Sequence, residues 1–495
     1  MAGYNTGTKG RMKTTNKSGH AAYKMDDKTK LVTMALTTML NEKKFYGDNT
    51  SDLIQLAESL CKDGHGEFVA KLAVWARKVG NLRSVSHALV AVVGRNCSGQ
   101  VSDDGESFAR KAAREISLVR GDDGTEIVAA YLHMYGKPLS HAVMRGIRDA
   151  LAVSKPFSIA KYQSSNKEVK LRDTLRLTHP AAVYGAEIAM GKCISGDLAV
   201  PKSWETELSA RGNCADVWNE LIAENRVGYM ALLRNLRNII KANADVDAVL
   251  DKLTNREAVR KSRQLPFRFY SAYVELLRAG INSTKVSRAL DMALMLSCGN
   301  VDKLPGKTAV LIDVSGSMGG KVSAKSIVDC RDIAALLGAM ATHISDDAAV
   351  FEFSNTGKIV PMTGLSILSD VGMISQPSGG TNMAAGFDAL MDTSFDADRI
   401  IVLSDNEVNL RGYSWYSRNE YDNKQTIQAK LNEYRRKVGH DVWCHAIDLQ
   451  GYGTQQFIGD RVNIIAGWSE QILRFISLAE RGFGGIVAEI DALEL

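Results

Sequence analysis

An α-helical array followed by a separate α/β domain is the architecture predicted for this 495-residue chain. Three observations predict it. Helical periodicity runs almost unbroken from about residue 52 to 298. Near residue 305 it gives way to short β-branched runs alternating with helices, the pattern of a parallel sheet. Charge reverses at the same place: Lys and Arg outnumber Asp and Glu by 45 to 32 over residues 1–305, whereas over 306–495 the balance is 16 against 24. A basic first part joined to an acidic second part implies two different kinds of partner.

The first 25 residues carry Lys9, Arg11, Lys13, Lys17 and Lys24 and no acid, and read as a mobile basic arm. Apolar residues then recur at i, i+3 and i+4 over 52–61, 67–79, 84–93, 126–135, 140–153, 217–224, 229–242, 267–279 and 284–297, each predicting an amphipathic helix. Breakers separate them: Asp63-Gly64, Gly80, residues 121–124, Gly136-Lys137-Pro138, Gly228, and Gly280 before Asn282-Ser283. Short helices joined by short turns imply stacked antiparallel pairs, an α-solenoid. No clean repeat emerges, so the array is of the irregular, HEAT-like kind. In the second part, strands are predicted at 308–314 (TAVLIDV), 348–353, 399–403, 442–447 and 462–465. Helices are predicted at 324–344, 383–391, 424–438 and 470–478, placing a Rossmann-like sheet between helical layers. The expected domains are therefore an arm over 1–25, a helical-repeat domain over 26–305 and an α/β domain over 306–495.

Composition excludes several classes. The chain is 45% hydrophobic with 8 prolines and 42 glycines, which argues against low-complexity or collagen-like repetition. No apolar run reaches the roughly 18 residues of a membrane span, and residues 1–24 lack the apolar stretch of a secretory signal. Seven cysteines, an odd set without a CxxC, fit reduced thiols better than a disulfide frame or a zinc site. The expectation is a soluble, cytoplasmic protein with no membrane partner.

The sharpest motif is Asp313-Val314-Ser315-Gly316-Ser317, DxSxS at the carboxyl end of the first α/β strand, where open α/β sheets bind ligands. One carboxylate and two hydroxyls project from a tight turn there, and hard oxygen ligands of low total charge suit Mg²⁺. Two further strand-end loops add oxygens: Thr381 in Gly379-Gly380-Thr381-Asn382 and Asp405 in Leu403-Ser404-Asp405. The alternative for DxSxS is an Asx or Ser turn capping the next helix. The three loops together resemble the metal-ion-dependent adhesion site of von Willebrand factor A domains, at Asp313, Ser315, Ser317, Thr381 and Asp405. In those domains an acidic side chain from a partner completes the metal's shell. No His or Glu is spaced as a general base beside the cluster, and no GxxxxGK[ST] loop exists, so a binding site is expected rather than a hydrolase.

The basic half offers three stripes. Arg172, Arg176 and His179 stand at i, i+4 and i+7, preceded by Lys161, Lys167 and Lys170. A second stripe holds Arg234, Arg237 and Lys241, and a third Arg256, Arg260, Lys261 and Arg263. Few acids at i±4 oppose them, which favours phosphate contacts over an ordinary solvated helix face. The aromatics Phe267, Phe269, Tyr270 and Tyr273 fit core packing better than base stacking.

An irregular helical array ahead of an A domain with an intact DxSxS resembles the TROVE family (telomerase, Ro, vault), over almost the whole chain. Lys161-Tyr162-Gln163 and Leu175-Arg176-Leu177-Thr178-His179-Pro180 resemble the family's Y-RNA-contacting stretch. That likeness implies RNA contacts by Lys161 and His179. One departure is that the family's second basic position, four residues after the lysine, is Ser165, with Lys167 and Lys170 nearby. The resemblance further implies a ring of helix pairs closed by the A domain. Small structured non-coding RNA of the Y type would bind its outer surface, single-stranded 3′ ends of misfolded RNA would enter its hole, and an exoribonuclease would be linked through the RNA. The N-terminus suggests a bacterial or phage-type relative. On this reading the protein is a non-catalytic RNA-binding protein in small-RNA stability or RNA quality control. The competing reading is an Mg²⁺-dependent adaptor whose A domain grips an acidic protein.

Overall fold

The computed structural model describes residues 13–15, 21–23, 27–37, 48–97, 99–163, 167–182, 185–321, 328–405, 427–449, 457, 459–466, 472–480 and 483–495. Most of the expected basic arm therefore lies outside the described residues. Among those described, a short antiparallel pair, Lys13–Thr15 with Ala21–Tyr23, falls within the expected arm; helices then follow one another up to Ser297, and strands alternate with helices after that. No described helix is long and apolar enough to cross a membrane. All seven cysteines are free thiols, and only Cys214 is exposed.

Compactness divides the chain differently from its secondary structure. One unit comprises Met25–Thr206 with Gly482–Leu495, the other Glu207–Arg481 with Met1–Lys24. The expected division at residue 305 marks the change from helices to sheet, yet the helices beyond 207 pack with the sheet domain. Tyr270 donates its hydroxyl to Asp332 at 3.1 Å, and Asp291 caps the Leu368 amide at 2.9 Å. The last helix, Phe483–Asp491, does not belong with the sheet either. Its Glu489 accepts from Trp75 Nε1 at 2.9 Å, its Asp491 carboxylate meets Lys28, and the Asp491 carbonyl accepts from Lys71.

In the first unit, helices Gly66–Lys78, Ser84–Asn96, Phe108–Ser117, Asp123–Tyr135 and His141–Ala152 pack through small and aliphatic side chains. Gly146 permits the closest approach, because a Cβ there would stand 2.2 Å from the Arg110 carbonyl of the facing helix. Beneath them lies a buried ion network. Asp123, wholly inaccessible at the start of its helix, accepts from Arg77 Nε at 3.0 Å and from Arg83 at 3.0–3.1 Å, and meets His87 Nε2 at 3.1 Å. Burial alone would raise its pKa, but the bond from His87 and the charges of His87, Arg77 and Arg83 hold it at about 2. A folded pKa below the unfolded value stabilises the fold above about pH 4, and that stability is lost as pH falls toward 2. The expected size is about 2 kcal/mol. Urea unfolding at pH 5 and pH 3 reads it; Asp123→Asn should flatten this acid limb, and an unchanged limb would assign it to other carboxylates.

The second unit contains a six-stranded sheet: β1 (Leu304–Asp313), β2 (Ser345–Phe353), β3 (Gly357–Val360), β4 (Arg399–Ser404), β5 (Trp443–Asp448) and β6 (Val462–Ala466). Their order is β3-β2-β1-β4-β5-β6, with all neighbours parallel except the antiparallel edge pair β2/β3. Central β1 and β4 each contain a continuous buried apolar run, residues 309–312 and 400–403, as strands covered on both faces must. Helices Cys330–Ile344 and Met383–Met391 pack on the strands, with Phe351, Phe353, Phe387, Leu431 and Tyr434 in one core. Connections leave β1 toward β2 and return to β4, so the strand order reverses at β1/β4. Open α/β sheets bind ligands beyond the carboxyl ends of the strands at such a switch point.

Candidate metal centre and nucleic-acid interface

Asp313 is the last residue of β1 and is wholly buried. Its Oδ1 accepts the Ser315 amide at 2.8 Å, and its Oδ2 accepts the Ser404 hydroxyl from the end of β4 at 2.7 Å. The Ser315 and Ser317 hydroxyls lie 3.2 Å apart. Backbone bonds join this turn to the Thr381 loop: Gly316 donates to the Gly379 carbonyl at 3.1 Å, and Ser378 to the Val314 carbonyl at 2.8 Å. Asn355 then steadies Gly380 at 3.0 Å, and the Asn382 amide bonds the Ser354 carbonyl beyond β2 at 2.7 Å. Gly379 has φ +78°, which a side chain would strain. Thr381 and Asp405 are both buried, and Asp405 directly follows β4.

Among the described residues Ser315 is followed by a 3₁₀ turn, Gly316–Gly319, and helix Cys330–Ile344 is capped not by DxSxS but by Asp329, through the Asp332 amide at 2.8 Å. The part of the helix expected from 324 that falls at 324–327 lies outside the described residues. Burial pushes the Asp313 carboxyl up to about 6, and Asp405's charge adds to this, against the bonds from Ser315 and Ser404. Among the described residues no three His, Cys, Asp or Glu side chains converge as a metal set. An ion here would rest on two carboxylates and three hydroxyls, a donor set that fits Mg²⁺ and disfavours softer metals. Ser404 and Asn355 escaped the sequence reading; adjacency to Asp405 was the only sign of Ser404, and nothing marked Asn355.

The basic positions fare unevenly. Lys161 is exposed, with Nζ 5.5 Å from the Tyr162 ring centroid, and Arg120 lies over the same ring at 5.4 Å. Arg172 and Arg176 are exposed on helix Leu171–Thr178, where Arg176 donates to the Ile194 carbonyl at 3.0 Å. His179 does not continue their face. It sits past the helix end in the left-handed region, φ 46°, because Pro180 cannot prolong the helix. Lys170 is the N-cap residue, its amide bonded to Asp173 at 3.0 Å. Ser165 lies outside the described residues.

The expectation of few opposing acids is corrected by the structure. Lys167 is held by Asp122 and Glu126, Arg237 by Glu275, and both Arg260 and Lys261 by Glu257 one turn earlier. Among the described residues Lys161, Arg234, Arg256 and Arg263 have no carboxylate partner. Phe267, Phe269 and Tyr270 are core residues.

A helical array followed by a doubly wound sheet with an oxygen cluster at its strand switch defines a two-part protein of helical-repeat and A-domain type. Residues 189–290 match the TROVE domain family, and residues 307–435 match the Ro60 vWA domain. The chain therefore carries a stretch similar to the TROVE domain and a second similar to the Ro60 vWA domain. It is 44% identical over 84 residues to rat telomerase protein component 1, covering 16% of this chain and 3% of that protein. It is 26% identical over 211 residues, 39% of each chain, to RNA-binding protein RO60 of Deinococcus radiodurans. It thus spans well under two thirds of the length of either. The crystal structure of the Deinococcus radiodurans RO (RSR) protein shares the fold, with TM-score 0.66 at 17% identity, covering 92% of this chain and all of that one. The TROVE match begins beyond the Lys161–His179 stretch.

Proposed function

We propose that this chain is a non-catalytic, cytoplasmic RNA-binding protein. It would hold small structured RNA of the Y type and single-stranded 3′ ends of misfolded RNA, in small-RNA stability or quality control, with an exoribonuclease reached through the RNA. The observation carrying this reading is the exposed set Lys161, Arg172, Arg176 and His179 on and just after two consecutive helices, in a chain whose first 305 residues bear a large positive excess. Lys170 stands at the start of the second helix, and Arg234, Arg256 and Arg263 are further contacts; Lys167, Arg237 and Arg260 serve only if RNA displaces their carboxylates. The name of the Deinococcus relative agrees with the reading.

Filter binding of a stem-loop RNA with a 3′ tail, from 50 to 200 mM salt, tests it. Affinity should fall by about 10³-fold if six or so phosphates are neutralised. Lys161→Ala and Arg176→Ala should each lower the logarithmic salt slope by about one. A flat salt response would remove the proposal.

The strand-end cluster supports a companion role. Asp313, Ser315, Ser317, Thr381 and Asp405 would hold Mg²⁺ as a docking point for an acidic partner, which is the adaptor reading; both roles fit one chain.

A further inference from the structure

The end of the sheet opposite the oxygen cluster carries a second feature. Where β1, β4 and β5 begin, an open cavity of about 520 Å³ is bounded by Asp398, Arg399, Asp441, Trp443, Arg461 and Glu480, among others. Its floor is saturated. Arg399, 3% exposed, donates Nε and Nη2 to the two oxygens of Glu480 at 2.6 and 2.8 Å, Nη1 to Thr308 at 2.9 Å, and further hydrogens to the Leu304 and Pro305 carbonyls. Glu480 also meets His445 Nε2 at 3.0 Å, and Asn463 meets the other ring nitrogen at 3.1 Å. The Arg399 and Glu480 charges cancel, and Arg399 has no hydrogen left for a guest.

The walls differ. Trp443 is half-buried and stacked on His445, with ring centroids 5.7 Å apart at 13°. Among the described residues, neither its Nε1 nor the Asp441 carboxylate has a hydrogen-bond partner. Asp398 commits Oδ2 to the Lys307 amide at 2.7 Å and keeps its other oxygen. Arg461 gives Nη1 to the Asp441 carbonyl at 2.7 Å, and His440 is engaged by Asp396 at 2.8 Å. The capacity left over is an indole and two carboxylates against one arginine, inside an α/β part that is acidic overall. An anion entering here meets two uncompensated carboxylates and one arginine, whereas a cation finds a π-system flanked by negative charge.

We propose that this cavity binds an organic cation, an ammonium or guanidinium group, seated beside the Trp443 ring and paired with Asp398 and Asp441. The shared chemistry has two sources, a free polyamine or the tip of a Lys or Arg side chain in a peptide. The site stands apart from the RNA and metal readings, so its failure leaves them untouched.

The test uses nuclease-treated full-length protein, titrated calorimetrically and by tryptophan fluorescence with spermidine, with N-acetyl-arginine amide and with inorganic phosphate. Saturable binding of either cation is expected, spermidine alone marking the polyamine and both marking a side-chain site. Asp398→Asn with Asp441→Asn should weaken binding by about tenfold, and Trp443→Leu should weaken it severalfold and remove the fluorescence change. Both aspartates are exposed, so the variant is expected to fold; a circular-dichroism melt checks this. Undiminished cation binding in the double variant, phosphate binding instead, or no saturation would each overturn the proposal.

Discussion

Asp313→Asn is expected to raise the thermal stability of the metal-free protein while abolishing its uptake of divalent cation. Two effects of opposite sign meet at this carboxylate. It is fully buried with Asp405's charge close enough to oppose its ionisation, so the folded chain carries an unfavourable anion at neutral pH. Removing the charge should stabilise the apo fold by roughly 1–3 kcal/mol. The same change leaves a cation one carboxylate instead of two, and affinity should drop by more than about 100-fold. Ser404→Ala, which deletes the hydroxyl orienting Asp313, should cost about tenfold in affinity and leave the ligand set intact. Equilibrium dialysis with Mn²⁺ reads the affinities and calorimetric melting reads the stability. RNA affinity should stay within about twofold, because phosphate contacts are assigned to the basic half. A variant that melts lower and still takes up metal would show that Asp313 is a structural acid only.

What the sequence revealed depended on how local each feature was. Helices Thr284–Ser297 and Met383–Met391 begin and end where their apolar spacing and flanking breakers place them. Phe108–Ser117 was missed although Phe108, Ala109, Ala112, Ala113 and Ile116 keep helical spacing, because its charged residues mask a core-facing stripe. Edge strand β3 has only four residues and is settled by pairing with β2. The final helix was hidden by Gly484-Gly485, which depress helix propensity, and its docking on Trp75 and Lys71 is wholly tertiary. The oxygen-bearing loops at Asp313 and Asp405 were legible because Asp313, Ser315 and Ser317 lie within five residues and both loops follow readable strands; the Thr381 loop, expected at a strand end, instead follows helix Ile367–Met373. Charge pairing was not. Lys167 finds Asp122 and Glu126 from 45 and 41 positions away, and Arg237 finds Glu275 from 38. The Glu257 pairs, one turn from Arg260 and Lys261, and the contact of Arg172 with the adjacent Asp173 at 3.7 Å stood in plain view.

The largest loss of stability is expected from Arg399→Met. This arginine ties two pieces of chain at the entrance to the sheet: the start of β1, through the carbonyls of Leu304 and Pro305 and the Thr308 hydroxyl, and Glu480 at the end of helix Ile472–Glu480. Burial by itself would raise the Glu480 pKa, yet the bonds from Arg399 and His445 hold it at about 2. With the guanidinium gone, Glu480 keeps its charge in a site shaped to neutralise it and two backbone carbonyls lose a donor. Such a broken buried pair costs about 3–5 kcal/mol, enough to melt the sheet-containing unit ahead of the rest. Removing both charges, in Arg399→Met with Glu480→Leu, should recover most of that loss, since a buried pair gains little over apolar residues of similar size. The recovery will be incomplete by the bond that His445 makes to Glu480, and adding His445→Phe should close the gap. Denaturant melts of the single, double and triple variants decide the matter. A double variant no more stable than Arg399→Met would place the loss in the carbonyl contacts at Leu304 and Pro305 rather than in the stranded carboxylate.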